Sequence, residues 1–251
     1  MPFTFSHPAI VLPIKDKYTK YFNLTALILG SMAPDFEYFL KFRPIRTIGH
    51  SLLGFFVLNL PLCFIFAYLF HMLIKKSFIM SLPTPLDRWY SYIAYEKWRL
   101  SSINEYIIFV YSSLLGMISH VLWDGFTHGR GFFVQKISLL TKNIVIMNHF
   151  IPVYKLLQHG STFLGFFIIL FYIYQKRRFK NYSLFYWSTK RKLFYYSFIF
   201  MIAVLFLLGR ISLMDQIHIF YIGTYIVTFI DGIIIGMMVF SILNRTNRYM
   251  I

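Results

Sequence analysis

The chain has 251 residues, 58% of them hydrophobic and 21% aromatic, with 14% charged and a formal net charge of +16. Soluble domains carry about 25% charged residues, and a chain this apolar cannot hide its surface from water, so lipid is the expected solvent. An excess of 25 Lys+Arg over 9 Asp+Glu would point to nucleic acid in a soluble protein; here the cations sit in short runs between apolar segments, where the positive-inside rule and anionic lipid account for them, so membrane lipid and not nucleic acid is the expected partner.

Cys63 is the single cysteine, which rules out an internal disulfide. The N-terminus lacks a basic region followed by a simple apolar stretch, so Met1 onward is expected to stay in the mature protein. Pro2 to Ile14 is apolar but too short to cross a bilayer alone. Phe22 to Leu40 is apolar as far as Ala33, where Pro34, Asp35 and Glu37 break it. Ile48 to Ile74 is long and contains Pro61, which predicts a kink. Ile103 to Trp123 follows, then Pro152 to Tyr174 with Pro152 suited to a first helical turn. Leu193 to Leu208 and Ile217 to Leu243 make a closing pair. The reading is an all-α, polytopic helical membrane bundle of about six to seven membrane helices, with a metal site between helix ends. Residues 1–175 form its site-bearing part, and 176–251 a basic loop plus a C-terminal helix pair. Phosphate loops, a GxSxG elbow and dinucleotide fingerprints are absent.

Charge gives the orientation. Lys176-Arg177-Arg178, Lys180 and Lys190-Arg191-Lys192 make one loop strongly basic and hence cytoplasmic. Arg245 and Arg248 in the C-terminal tail fall on the same side, as does the Lys75 to Ser102 loop with Lys75, Lys76, Arg88, Lys97 and Arg99. The Lys41 to Thr47 turn and the Gly125 to Ile151 loop then face the other side, although Lys41, Arg43 and Arg46 run against that assignment. On this count Asp35, His50, the His120 to His128 stretch and His159 all approach the non-cytoplasmic face. A simple crossing from Phe22 would leave His7 on the opposite face. A hairpin of Pro2 to Tyr21 against Phe22 to Ala33 returns it to the site, and that hairpin is the expected arrangement.

The most informative stretch is His120-Val121-Leu122-Trp123-Asp124-Gly125-Phe126-Thr127-His128. On an α-helix, positions four and eight apart share a face, so two imidazoles and a carboxylate can converge. Such donors suit zinc and its borderline neighbours, and ionisable groups in apolar sequence are costly enough to imply use. His7, Asp35, His50, His120, Asp124, His128 and His159 are the candidate metal ligands, the ion being divalent and zinc the first choice. Asp35 and Asp124 are the candidate catalytic residues, orienting a water whose pKa the metal lowers.

Each candidate has an ordinary alternative. His7 before Pro8 can cap a helix, Asp35 can sit in an interfacial turn, and Glu37 can be a solvated partner of Arg43 or Arg46. His50 can be interfacial, and His128 beside Gly129, Arg130 and Gly131 a loop residue, with Arg130 free for a headgroup phosphate. His159, flanked by Gln158, Ser161 and Thr162, can bond between helices. His71, His218 and Asp231 read better as structural groups, and His149 is undecided.

The opening Met1-Pro2-Phe3-Thr4-Phe5-Ser6-His7-Pro8-Ala9, Gly30-Ser31-Met32-Ala33-Pro34-Asp35-Phe36-Glu37, His50-Ser51-Leu52-Leu53-Gly54, His120 through His128 and Val153-Tyr154-Lys155-Leu156-Leu157-Gln158-His159 carry a resemblance. The chain resembles an uncharacterised bacterial integral-membrane family known only as domain of unknown function four-one-eight-four. That likeness implies a multi-pass protein of the bacterial inner membrane. More distantly, it is similar to the zinc-dependent phospholipase C and P1-nuclease group and to related inner-membrane metal-dependent hydrolases. His7, Asp35, His50, His120 and Asp124 match that group's motif in order. The likeness implies one metal on Asp35, His50, His120 and Asp124, a second shared by Asp124 and His7, and His128 and His159 contributing to another. Where the soluble enzymes carry a glutamate after their last histidine, this chain has Phe163.

The expected function is therefore an integral-membrane metal-dependent hydrolase of phosphoesters or phospholipids. The alternative is a non-catalytic metal-binding membrane protein or transporter, in which the same groups conduct or sense a cation. A third, structural reading treats the polar groups as helix-packing contacts.

Overall fold

A computed structural model describes residues 3–18, 20–179, 186–214 and 221–246. Lys180, His218 and Arg248 lie outside the described residues. A 3-10 turn, Thr4–Ser6, leads into α1, Pro8–Lys17, with Pro8 in the first helical turn where its missing N–H costs nothing. α2, Leu24–Met32, starts where the Asn23 side chain accepts from the Ala26 amide. α1 and α2 pack together as the expected hairpin. At about 15 Å, from ~1.5 Å per residue, α1 falls short of the ~30 Å hydrocarbon core. The crossing expected over Phe22 to Leu40 does not form. Pro34 sits in a second 3-10 turn, Ala33–Asp35, and a short helix Phe36–Lys41 follows.

The bilayer-length helices come next. α3, Leu52–Ser81, begins on a Ser51 cap and contains two π-helical turns, Phe55–Asn59 and Phe70–Ile74. Pro61 has no N–H and its ring crowds the carbonyl four residues earlier, and the first wide turn lies just ahead of it. α4, Ile103–Thr127, opens on a capping box in which Ser102 and Glu105 satisfy each other's backbone amides. α5, Val153–Gln175, α6, Thr189–Ser212, and α7, Ile222–Thr246, complete the set. Among the described residues, five helices are long and apolar enough to cross a membrane, fewer than the six or seven expected because the N-terminal pair does not. The protein is a helical membrane protein. The segment between α4 and α5 is also more regular than a loop. It forms short helices Phe132–Lys136 and Ser138–Thr141, then an antiparallel pair, β1 Asn143–Ile146 and β2 His149–Pro152. Met147 and Asn148 at φ 46° and 64° make the two-residue turn, with both central residues left-handed as such hairpins require.

The chain divides into two compact units. The first holds residues 1–36, 48–64 and 100–175, and the second 37–47, 65–99 and 176–251. The division thus differs from a single cut after residue 175, because the second half of α3 joins the C-terminal helices: Met80 packs with Trp187, Tyr195, Ile199 and Phe240. Within the second unit, Lys192 donates to the buried Asp87 carboxylate, and the 37–47 turn closes on Glu37. That carboxylate is buried, accepts from the Thr47 amide at 2.7 Å and lies 3.6 Å from Lys41. It is not the solvated group the sequence allowed. Arg46 Nε donates to the Tyr38 hydroxyl at 2.6 Å, and Thr228 Oγ1 of α7 to the Phe42 carbonyl at 3.3 Å. His71 stacks on Trp98 at 4.3 Å.

Inside the first unit, α2 and α4 run backbone against backbone. A Cβ on Gly30 would meet the Ser113 carbonyl oxygen at 2.2 Å, and one on Gly116 the Ser31 nitrogen at 2.5 Å. Small residues at such crossings are the membrane solution to close packing. α5 docks through one stripe. The Trp123 indole donates to Ser161 at 3.2 Å, the Phe3 amide donates to Thr162 at 3.2 Å, and Gly165 approaches Ser6. Replacing Gly116 by Ala forces these backbones apart and is expected to destabilise the protein by about 1–3 kcal/mol, read as a lower thermal midpoint in detergent. Gly160→Ala, where a Cβ meets nothing within 4 Å, is the control and should leave the midpoint unchanged or raised.

Candidate metal centre

Four pieces of backbone deliver the site, all within the first unit. The turn before α1 presents His7, the 3-10 turn after α2 presents Asp35, the turn ahead of α3 presents His50, and α4 presents His120 and Asp124 one turn apart. His7, Asp35, His120 and Asp124 are buried. Asp35 Oδ1 lies 3.6 Å from His50 Nε2 and 3.7 Å from His120 Nε2, while Asp124 Oδ2 lies 3.6 Å from each of the same two nitrogens.

Those separations carry chemical meaning. A hydrogen bond between nitrogen and oxygen spans about 2.7–3.2 Å, so none of the four contacts is one. Two donors each about 2.0–2.2 Å from a tetrahedral ion stand roughly 3.3–3.6 Å apart. Four edges of the figure drawn by Asp35 Oδ1, His50 Nε2, His120 Nε2 and Asp124 Oδ2 come close to that spacing. Both ring nitrogens of His7 and of His50, His120 Nε2 and Asp35 Oδ1 are buried and have no hydrogen-bond partner among the described residues. Buried polar atoms are ordinarily paired, and each one left unmet costs about 1–3 kcal/mol. Two groups among these residues bring ligand atoms within 4.8 Å of one another: His7, Asp35 and His120, and His50, His120 and Asp124. Two carboxylates and three imidazoles fit a divalent cation.

Neighbouring groups aim the donors. His120 Nδ1 lies 2.7 Å from the Ser31 carbonyl. A carbonyl only accepts, so Nδ1 carries the proton and Nε2 is the nitrogen that faces the cluster. The Gly30 and Gly116 contact makes this bond possible by bringing the α2 backbone to α4. Thr4 Oγ1 donates to Asp35 Oδ2 at 2.7 Å, leaving Oδ1 for the cluster. Asn59, wholly buried in the first π turn, donates from Nδ2 to the Gly49 carbonyl at 2.6 Å and so pins the residue before His50. Burial pushes His7 down to about 2, so that this imidazole is neutral; the His120 ring stacks on it at 3.8 Å.

On the other side of Asp124, Oδ1 lies 3.7 Å from His7 Nε2 and 3.4 Å from His128 Nδ1. His128 Nδ1 also lies 3.0 Å from the Asp124 carbonyl, to which it donates. His159 is not brought to the cluster. It is exposed on α5, whose inward stripe runs through Gln158, Ser161, Thr162 and Gly165, and one residue along a helix is a turn of about 100°. Arg130 and His149 are exposed. Thr4, Ser31 and Asn59 are not among the residues that the sequence predicts for the site. Asn59 and Thr4 were visible as polar residues in apolar runs, whereas Ser31 acts through its backbone and leaves no signal.

If these bonds aim the donors, Thr4→Val and Asn59→Leu should each weaken zinc affinity by about 10–100-fold. Competition against a coloured chelator in detergent measures this, with far-ultraviolet dichroism confirming unchanged helix content. Affinity equal to the parent protein's would remove the positioning role.

No curated protein and no solved structure matches the chain, and the expected likeness to phospholipase C and P1 nuclease is not shown. A family model does match, over residues 1–242, and covers every element that builds the cluster. The chain belongs to the family described as Domain of unknown function (DUF4184).

Proposed function

We propose that this protein is an integral-membrane metal-dependent hydrolase acting on a phosphoester, with a phospholipid as the favoured substrate class and zinc as the favoured metal. The observation that carries the reading is the set of four ligand atoms, from Asp35, His50, His120 and Asp124, spaced 3.6–3.7 Å apart along four edges without hydrogen bonds between them. A divalent ion held there supplies Lewis acidity and a water of lowered pKa. The residues divide the remaining work. Asp35 is fixed by Thr4 and has no exposure, which suits holding. Asp124 directs one oxygen to each side of the cluster and is the carboxylate placed to orient an attacking water. His50 and His128, with side chains 17% and 21% exposed, mark the open flank by which a substrate arrives. Arg130 beyond it offers a guanidinium to a phosphate.

The proposed setting is a bacterial inner membrane with the C-terminus cytoplasmic and the cluster towards the non-cytoplasmic face. Counting five spans back from a cytoplasmic tail puts the 82–102 and 176–188 connections inside and the starts of α3 and α7 outside. Because α1 and α2 do not cross, His7 joins His50 on that outer side. Of Lys41, Arg43 and Arg46, the cations that run against the count, Lys41 and Arg46 are engaged within their own turn by Glu37, Thr47 and Tyr38. A cysteine placed at Met147, 91% exposed at the hairpin tip, in a Cys63→Ser background is expected to react with an impermeant maleimide in intact cells. Labelling only after lysis would invert the orientation.

The full burial of Asp35 and His120 favours one other reading, a non-catalytic metal binder or transporter. One experiment separates the two. Detergent-purified protein is expected to retain zinc by elemental analysis, and the His120→Ala, Asp124→Ala double variant to lose it. The parent should hydrolyse a member of a phosphodiester and phospholipid panel, stop on chelation and recover with zinc. Zinc uptake into proteoliposomes with no hydrolysis would establish transport instead. Metal-free parent protein would remove both.

A further inference from the structure

The second unit contains a cavity of about 70 Å³ between residues of α3 and the end of α7; a single water needs roughly 10–15 Å³. Its polar lining is cationic or able to donate: Lys76, Ser77, Ser241, Asn244 and Arg245, with no carboxylate among the lining residues. Two cations that share one small space repel, and an anion between them relieves that repulsion.

The surrounding contacts turn the donors inward. Lys76 Nζ stands 4.8 Å over the Tyr95 ring, and both residues line the cavity. Arg191 lies over the Trp187 ring at 4.6 Å and donates to Asn244 Oδ1, which leaves the amide N–H groups of Asn244 for another partner. Ser241 is 1% exposed, and its hydroxyl has no hydrogen-bond partner among the described residues although it lines the cavity. A hydroxyl buried in this way is costly unless something meets it. The aromatic wall from Trp187 and Tyr95 and the basic rim match the chemistry of an interfacial headgroup site, in which basic pockets between membrane helices take phosphate.

We propose that this cavity is a phosphate-binding site, separate in its residues from the metal centre, in which Lys76 and Arg245 neutralise the anion and Ser241 and Asn244 donate to it. The same chemistry recognises the phosphate of an anionic lipid headgroup or free inorganic phosphate.

Native mass spectrometry of the full chain in detergent tests this, with phosphatidylglycerol, phosphatidylcholine and inorganic phosphate as separate probes. A retained phosphatidylglycerol, preferred over phosphatidylcholine and not displaced by millimolar phosphate, identifies the lipid source. Saturable binding of phosphate that displaces the lipid identifies the free anion. Either result must weaken by at least about tenfold in Lys76→Ala, Arg245→Ala and return in Lys76→Arg, Arg245→Lys. It must also survive Lys97→Ala, Lys190→Ala, which removes two charges of the basic loops outside the cavity. Ser241→Ala keeps every charge and should weaken binding several-fold. Equal binding by parent and by the Lys76, Arg245 alanine variant, or equal loss in the Lys97, Lys190 control, would overturn the proposal.

Discussion

Two carboxylates buried against the same imidazoles set the terms for the first unit. Asp35 and Asp124 both face His50 and His120 at distances too long for hydrogen bonding. Such groups in an apolar interior are expensive unless paired or bound to a cation. Much of the local architecture can be understood as the means of holding them there. The glycine contact between α2 and α4 lets the Ser31 carbonyl fix the His120 ring. The turn before α1 brings Thr4 to the far oxygen of Asp35. The wide first turn of α3 places Asn59 where it holds the Gly49 carbonyl beside His50. Four segments far apart in the sequence thus converge on one cluster.

The features legible in the sequence were those with a period. A helix face puts His120 and Asp124 together whatever their surroundings, and a run of apolar length becomes a spanning helix. The breaks at Pro34 and Pro61 were equally visible, although their consequences differed. Pro34 ended a helix that was too short to cross, while Pro61 follows a π turn within a continuous span. What escaped was register. His159 lies in the right helix at the right end, yet Gln158 takes the inward position, and no periodicity in one sequence decides between neighbours when Ser161 and Thr162 suit either face. The hairpin at Met147 and Asn148 escaped because its strands are short and Ile144, Val145 and Ile146 are consecutive exposed apolar residues, without the alternation that marks a half-buried ribbon.

The C-terminal helices pack differently from the unit that holds the His/Asp cluster. Gly232 sets α7 directly on Ala203 of α6, and the aromatic cluster of Trp187, Tyr195 and Phe240 takes Met80 from α3. The unit therefore draws its packing from segments far apart in sequence, which a cut after residue 175 could not have foreseen. Its charges are also less decorative than a positive-inside count suggests. Lys192 meets buried Asp87, Lys75 donates to the Glu96 carbonyl at 2.6 Å, and Lys41 is tied to Glu37. Cations that merely face anionic lipid need no such partners. Part of the basic excess of this chain is structural.

The contrast between Asp35 and Asp124 is the clearest physical pointer to how the cluster would work. One oxygen of Asp35 is consumed by Thr4, and no part of the residue meets solvent. Asp124 instead presents Oδ2 to His50 and His120 and Oδ1 to His7 and His128, standing between the enclosed imidazoles and the partly exposed ones. A carboxylate in that position can serve two neighbouring centres, or hold one and orient what enters from the flank. Asp35, with one oxygen left and no exposure, can only hold one centre. Since both aspartates are one charge each in the same cluster, it is the hydrogen-bond partner and the exposure of the neighbouring imidazoles, not the residue type, that would separate holder from reactant in the proposed hydrolase.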